Sequence, residues 1–136
     1  MKLIISTVVV GVVLFLLGWL IYGVLLLEYL KPYYGFLWRS ETDMKIWAYA
    51  LSSIVQAFML YLIYSKGYKG GAPIAEGIRF GIYMSIFWGL PFALGFWAGV
   101  KVSYKAVAVD AIVGMAMMFI ACILTAVIYG KQQKTA

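Results

Sequence analysis

Four apolar runs separated by three short polar connections lay out this chain. Residues 3–27 contain no charged side chain, residues 46–65 and 80–100 are equally free of charge, and residues 106–130 are interrupted only by Asp110. About 20 apolar residues in a helix cross a hydrocarbon core of roughly 30 Å. With their polar caps, the runs predict spans at residues 3–27, 42–65, 77–100 and 106–130. The first run is far longer than the roughly 7–15 apolar residues of a signal peptide, and no small-x-small cleavage site follows it, so it is read as a retained span. As a helix it would measure about 37 Å, which requires tilt or protrusion. Backbone amides inside lipid must be satisfied within each segment, and no apolar–polar alternation of a barrel strand is present. The pattern therefore predicts an all-α fold, a transmembrane bundle of four antiparallel helices forming a single polytopic domain over residues 1–136.

Composition narrows the chemistry. The chain is 65% hydrophobic and 12% charged, against about a quarter charged in an ordinary soluble domain, so too few charged groups exist to cover a water-facing surface. There is no His and only one Cys. That excludes His-ligated metal or haem, His acid–base catalysis and any intramolecular disulfide. No cofactor, metal site or enzymatic activity is expected. Eleven basic against five acidic residues give a net charge of +6. With four spans, Lys2, Lys66, Lys69, Arg79, Lys131 and Lys134 share the side of the termini, and Lys31, Arg39, Lys45, Lys101 and Lys105 lie opposite. Six against five favours cytoplasmic termini by one charge. Basic residues on both faces suit anionic lipid headgroups as partners, and no basic stripe points to nucleic acid.

Asp110 is the leading candidate for function. It lies about 6 Å inside the fourth span, and an intramembrane carboxylate is a functional-site hypothesis by default. Snorkelling, pairing with Lys101 or Lys105, or favourable placement at a helix N-terminus remain open beside that reading. Glu76 and Arg79 open the third span at i,i+3, where they can pair, and Arg79 can alternatively sit under a lipid phosphate. Gly77, Gly81, Ser85 and Gly89 recur every four residues, and Gly95 and Gly99 repeat the spacing beyond Pro91. Asp110 and Gly114 share a face of the fourth span. Such small-residue faces suit close helix packing, within the chain or in a homo-oligomer. Pro91 removes an amide donor and is expected to kink its helix. In the first connection, aromatics interleave with Lys31, Pro32 and Arg39, a composition of the headgroup layer. The following Ser40-Glu41-Thr42-Asp43 has the form of a capping box starting the second span. Trp19 and Tyr22 mark the end of the first span. Cys122 and the seven Met residues are read as apolar packing.

The order GWLIYGVLLLEYLKPYYG, PIAEGIRFGIYMSIFWGLP and KAVAVDAIVGMAM resembles the domain-of-unknown-function family 1761, small polytopic bacterial membrane proteins. The matching positions are Tyr22, Lys31, Pro32, Glu76, Gly77, Gly81, Pro91 and Asp110. Trp19 stands three residues before Tyr22 rather than beside it, and Tyr33 takes the place of a tryptophan after the proline. The resemblance implies a bacterial cytoplasmic-membrane protein and supplies no activity. The expected function is a non-catalytic membrane protein binding a lipid-like or hydrophobic ligand. The alternatives are an accessory packing subunit of a larger membrane complex, respiratory or photosynthetic, and a small proton-coupled transporter using Asp110.

Overall fold

The computed structural model describes residues 1–134, apart from the Lys134 side chain. Thr135, Ala136 and that side chain, which was counted with the charges of the termini, lie outside the described residues. Helix α1 (Lys2–Leu20) runs on into a π-helical turn at Ile21–Leu25, and α2 (Leu27–Tyr34) follows. Single 3-10 turns at Gly35–Leu37 and Glu41–Asp43 lead to α3 (Ile46–Gly67), α4 (Pro73–Gly99) and α5 (Tyr104–Lys134). There is no strand among the described residues. Four helical stretches are long and apolar enough to cross a membrane: Lys2–Leu25, Ile46–Gly67, Pro73–Gly99 and Tyr104–Gln133.

Two helix starts differ from the expected ones. Ser40-Glu41-Thr42-Asp43 does not cap α3. Ser40 Oγ instead meets Thr42 Oγ1 at 3.2 Å, and Arg39 and Lys45 hold the Asp43 carboxylate at 2.8 and 3.1 Å. Met44 is extended, so the helix begins only at Ile46. Conversely, α4 starts at Pro73, ahead of the predicted residue 77. Proline's fixed φ suits the first turn of a helix, where its missing N–H is not needed. The turn before it relies on Gly70, whose φ of 81° is a left-handed conformation that favours glycine. α4 then stays helical through Pro91.

α5 packs against α1, α3 and α4, and α1 also packs against α3. The apolar core gathers Val10 and Leu14 of α1, Ala57 and Leu60 of α3, and Met118, Ala121 and Cys122 of α5. The tightest contact is between α4 and α5. A methyl group built on Gly77 would stand 2.9 Å from Ala126 Cβ and 3.0 Å from Ile123 Cα, and one on Gly81 would stand 2.7 Å from the Phe119 ring. One on Gly89 would run into Met115, and one on Gly130 into Pro73. Ser85, on the same stripe, donates its hydroxyl to the Met115 carbonyl at 2.9 Å. The stripe 77–81–85–89 therefore brings the two backbones together. Its proposed continuation does not: among the described residues, Gly95 and Gly99 have nothing within 4 Å of an added methyl. At the other end of the fold, Lys2 Nζ donates to the Gln132 carbonyl at 2.7 Å and Gln132 Nε2 donates to the Lys2 carbonyl at 3.1 Å, tying the start of α1 to the end of α5.

Gly77 and Gly95 should respond oppositely to alanine. At Gly77 the obstacle is backbone, which cannot swing aside, so Gly77→Ala should cost about 1–3 kcal/mol. Gly95→Ala has room and gains helix propensity, so it should be neutral or stabilising by up to roughly 1 kcal/mol. Thermal unfolding in mild detergent measures both, and equal effects would contradict the packing described.

Candidate functional site

Two of the five acidic side chains are drawn into the fold, and in each case a tyrosine hydroxyl meets the carboxylate. Asp110, half-buried on α5, accepts a hydrogen bond from Tyr22 Oη on Oδ1 at 2.7 Å. Tyr22 belongs to the π-helical turn, closed by Leu26 N–H donating to the Ile21 carbonyl at 2.7 Å. A turn with one extra residue shifts the side-chain register, and π-turns recur at functional sites. Lys101 and Lys105 are exposed and form no ion pair with Asp110, contrary to the pairing across the short turn considered above. The residues 100–103 are not helical, and both lysines extend to the surface while Asp110 turns inward to Tyr22.

A cavity of about 100 Å³ opens beside this pair. Its origin lies in the small residues. Gly89 and Ala93 of α4 and Ala111 and Gly114 of α5 line it with little bulk, and Trp88, Phe92 and Phe96 wall it. Beneath it α2 lays down its apolar face. Leu30 and Tyr34, one helical turn apart, are buried with Ala106 and Val107 of α5, and the Tyr34 ring meets Phe96 edge-on at 5.9 Å. Tyr34 Oη is buried without a hydrogen-bond partner. Burial, and after it the Asp110 carboxylate, raise the Tyr34 phenol above its ordinary pKa, so it stays protonated.

At the opposite end of α4, Glu76 is only 8% exposed. Its Oε1 accepts from the Gly71 amide at 2.9 Å and its Oε2 from Tyr64 Oη at 3.4 Å. A methyl built on Gly71 would stand 2.7 Å from this carboxylate, so a larger residue there would displace the Glu76 side chain. The i,i+3 pairing of Glu76 with Arg79 does not form. Glu76 faces the α3–α4 turn, whereas Arg79 is exposed. Tyr64, Tyr68 and Tyr129 pack ring to ring with centroids 5.1–6.0 Å apart, and Phe80 meets Tyr64 at 5.2 Å. Between this cluster and the solvent lies a cleft of about 340 Å³, where Lys69 and Arg79 stand beside Ile63, Phe80 and Tyr83.

The remaining sequence candidates scatter. Lys31 and Pro32 are exposed on α2, and Pro91 is exposed on α4, outside both cavities. Gly77, Gly81, Ser85 and Gly89 face α5, and Gly114 lies against Tyr22. Several residues of the sites escaped sequence reasoning: Tyr34, Tyr64, Gly71, Trp88, Phe92 and Phe96. The spacing of 88, 92 and 96 was a usable signal, since residues four apart share a helix face. Nothing in the spacing linked Tyr22 to Asp110, 88 residues away. No model of a known protein family, no curated protein and no solved structure matches this chain.

The Tyr22–Asp110 bond can be measured by a double-mutant cycle of Tyr22→Phe and Asp110→Asn. Side-chain hydrogen bonds in membrane proteins average about 0.6 kcal/mol and reach about 1.7 kcal/mol. A charged acceptor should place this coupling in the upper part of that range, read from unfolding in detergent. Additive single effects would show that the two side chains do not interact.

Proposed function

We propose that the chain is a small integral membrane protein, a bundle of four antiparallel spans with its termini on the cytoplasmic side, that holds a lipid-like ligand rather than transforming it. Four helices of membrane-crossing length and hydropathy support the architecture, as does the tie between residues 2 and 132. The observation that carries the ligand reading is the cleft beside Tyr64. Two cationic side chains, Lys69 and Arg79, share one recess with the apolar and aromatic surfaces of Ile63, Phe80 and Tyr83. That pairing suits an amphiphile with an anionic head group, its phosphate taken by Arg79 as a planar donor and its chains lying along the apolar wall. Glu76 lines the same cleft, but its carboxylate oxygens are bonded to Gly71 and Tyr64 and not to Arg79, so two cationic groups there stand against one acidic group.

A second reading, an accessory subunit in a larger membrane complex, is favoured by Gly95 and Gly99. These two positions offer a close-packing face that no other helix among the described residues uses.

Native mass spectrometry of the protein released from mild detergent tests both. The wild type should retain an anionic phospholipid, and the Lys69→Gln/Arg79→Gln variant should lose most of it, a fall of about fivefold or more, consistent with charge-assisted contacts. Equal retention by the two proteins would remove the ligand reading. Particles only at the mass of a free monomer would argue against the accessory-subunit reading.

A further inference from the structure

The cavity beside Asp110 differs in charge from the cleft at the other end of the bundle. Asp110 supplies its only acidic side chain, and no Lys or Arg lines it. Tyr22 donates one hydrogen bond to Oδ1, and among the described residues no basic side chain pairs with the carboxylate. A carboxylate in apolar surroundings is costly unless paired. The walls offer the complementary half of a cation site. Tyr22, Trp88, Phe92 and Phe96 line the same space, and aromatic faces attract cations through the ring quadrupole, tryptophan most strongly. A metal ion is disfavoured, because hard cations take several oxygen ligands and no three His, Cys, Asp or Glu side chains come together among the described residues. The volume, about 100 Å³, is below the roughly 300 Å³ of pockets that enclose a drug-sized molecule. It accommodates a head group and not a whole lipid. Trp88 and Phe92 are 55% and 63% exposed, so the mouth opens sideways along α4, where the rest of a ligand can extend into the bilayer.

We infer that this cavity binds an ammonium head group, with Asp110 as counter-ion and Trp88, Phe92 and Phe96 as its aromatic wall. The site is independent of the anionic-ligand cleft at Arg79. Two sources share this chemistry: a membrane lipid with an ammonium head, and a small organic cation from solution.

Calorimetric titration of the protein in phosphatidylglycerol nanodiscs, which contain no ammonium lipid, tests the inference with choline and with its uncharged carbon isostere, 3,3-dimethyl-1-butanol. Wild type should bind choline and ignore the isostere. Asp110→Asn should weaken choline about tenfold or more. Trp88→Leu, on an exposed position that tolerates change, should weaken it about threefold with unaltered helix content by circular dichroism. Lys69→Gln/Arg79→Gln should leave choline binding intact, which separates this site from the cleft. Doping the nanodiscs with phosphatidylethanolamine distinguishes the sources: competition with choline identifies the lipid, and unchanged choline affinity identifies the soluble cation. Equal binding of choline by wild type and by folded Asp110→Asn, equal binding of the isostere, or no choline binding by wild type would each overturn the inference.

Discussion

The close approach of α4 to α5 sets where the chain is filled and where it is open, and both interior carboxylates sit along it. Where Gly77 and Gly81 meet Ile123, Ala126 and Phe119, small residues oppose larger ones and the interface is filled. In a bilayer, where lipid chains are as apolar as the side chains, such packing and a few hydrogen bonds are the forces that hold helices together. Ser85 contributes one of those bonds without leaving the stripe. Toward the far end Gly89 still meets Met115, but Ala93, Ala111 and Gly114 beside it bring little bulk, and a cavity is left there. The space thus lies beside the end of the packed stripe, where further small residues of both helices come together.

The same helix pair positions both interior carboxylates, one near each end of α4. Each is met by a tyrosine and neither by a lysine or arginine. A phenol donor stabilises a carboxylate without cancelling its charge, so the two sites remain electrostatically distinct. Glu76 is further bonded to the Gly71 amide, and with Lys69 and Arg79 lining the same cleft as Glu76 that end keeps an excess of cationic groups. Asp110 has Tyr22 alone for a side-chain donor, which gives its end an anionic character. A small chain with few charges thereby presents two recesses of opposite polarity, and this asymmetry links the packing to the proposed ligand chemistry.

Much of the architecture was legible because its causes are local. Span length, absence of charge and a four-residue repeat of small side chains are properties of contiguous sequence, and α1, α3, α4 and α5 follow from them. Asp110 stood out because it is the one charge inside an apolar run. Its partner did not, because Tyr22 comes from the other end of the chain and looked like an interfacial aromatic at the end of α1. The π-helical turn that sets the register around Tyr22 has no sequence signature. Ser40 was misread as a cap because Asp43, recruited by Arg39 and Lys45, belongs to a separate turn. Gly95 and Gly99 show the limit of spacing arguments: a repeat identifies a face but not whether another helix lies opposite it.

Whether Asp110 is held by a tyrosine and not neutralised by a lysine can be read from one spectrum. The chain contains only two aspartates, Asp43 and Asp110, so the Asp43→Asn variant labelled with ¹³C at the aspartate carboxyl, tyrosine Cζ and lysine Cε reports on Asp110 alone. Solid-state NMR in lipid bilayers should give a short-range correlation between the Asp110 carboxyl and the Cζ of Tyr22, one that disappears on Tyr22→Phe. A correlation from that carboxyl to the Cε of Lys101 or Lys105, with none to tyrosine, would contradict the account.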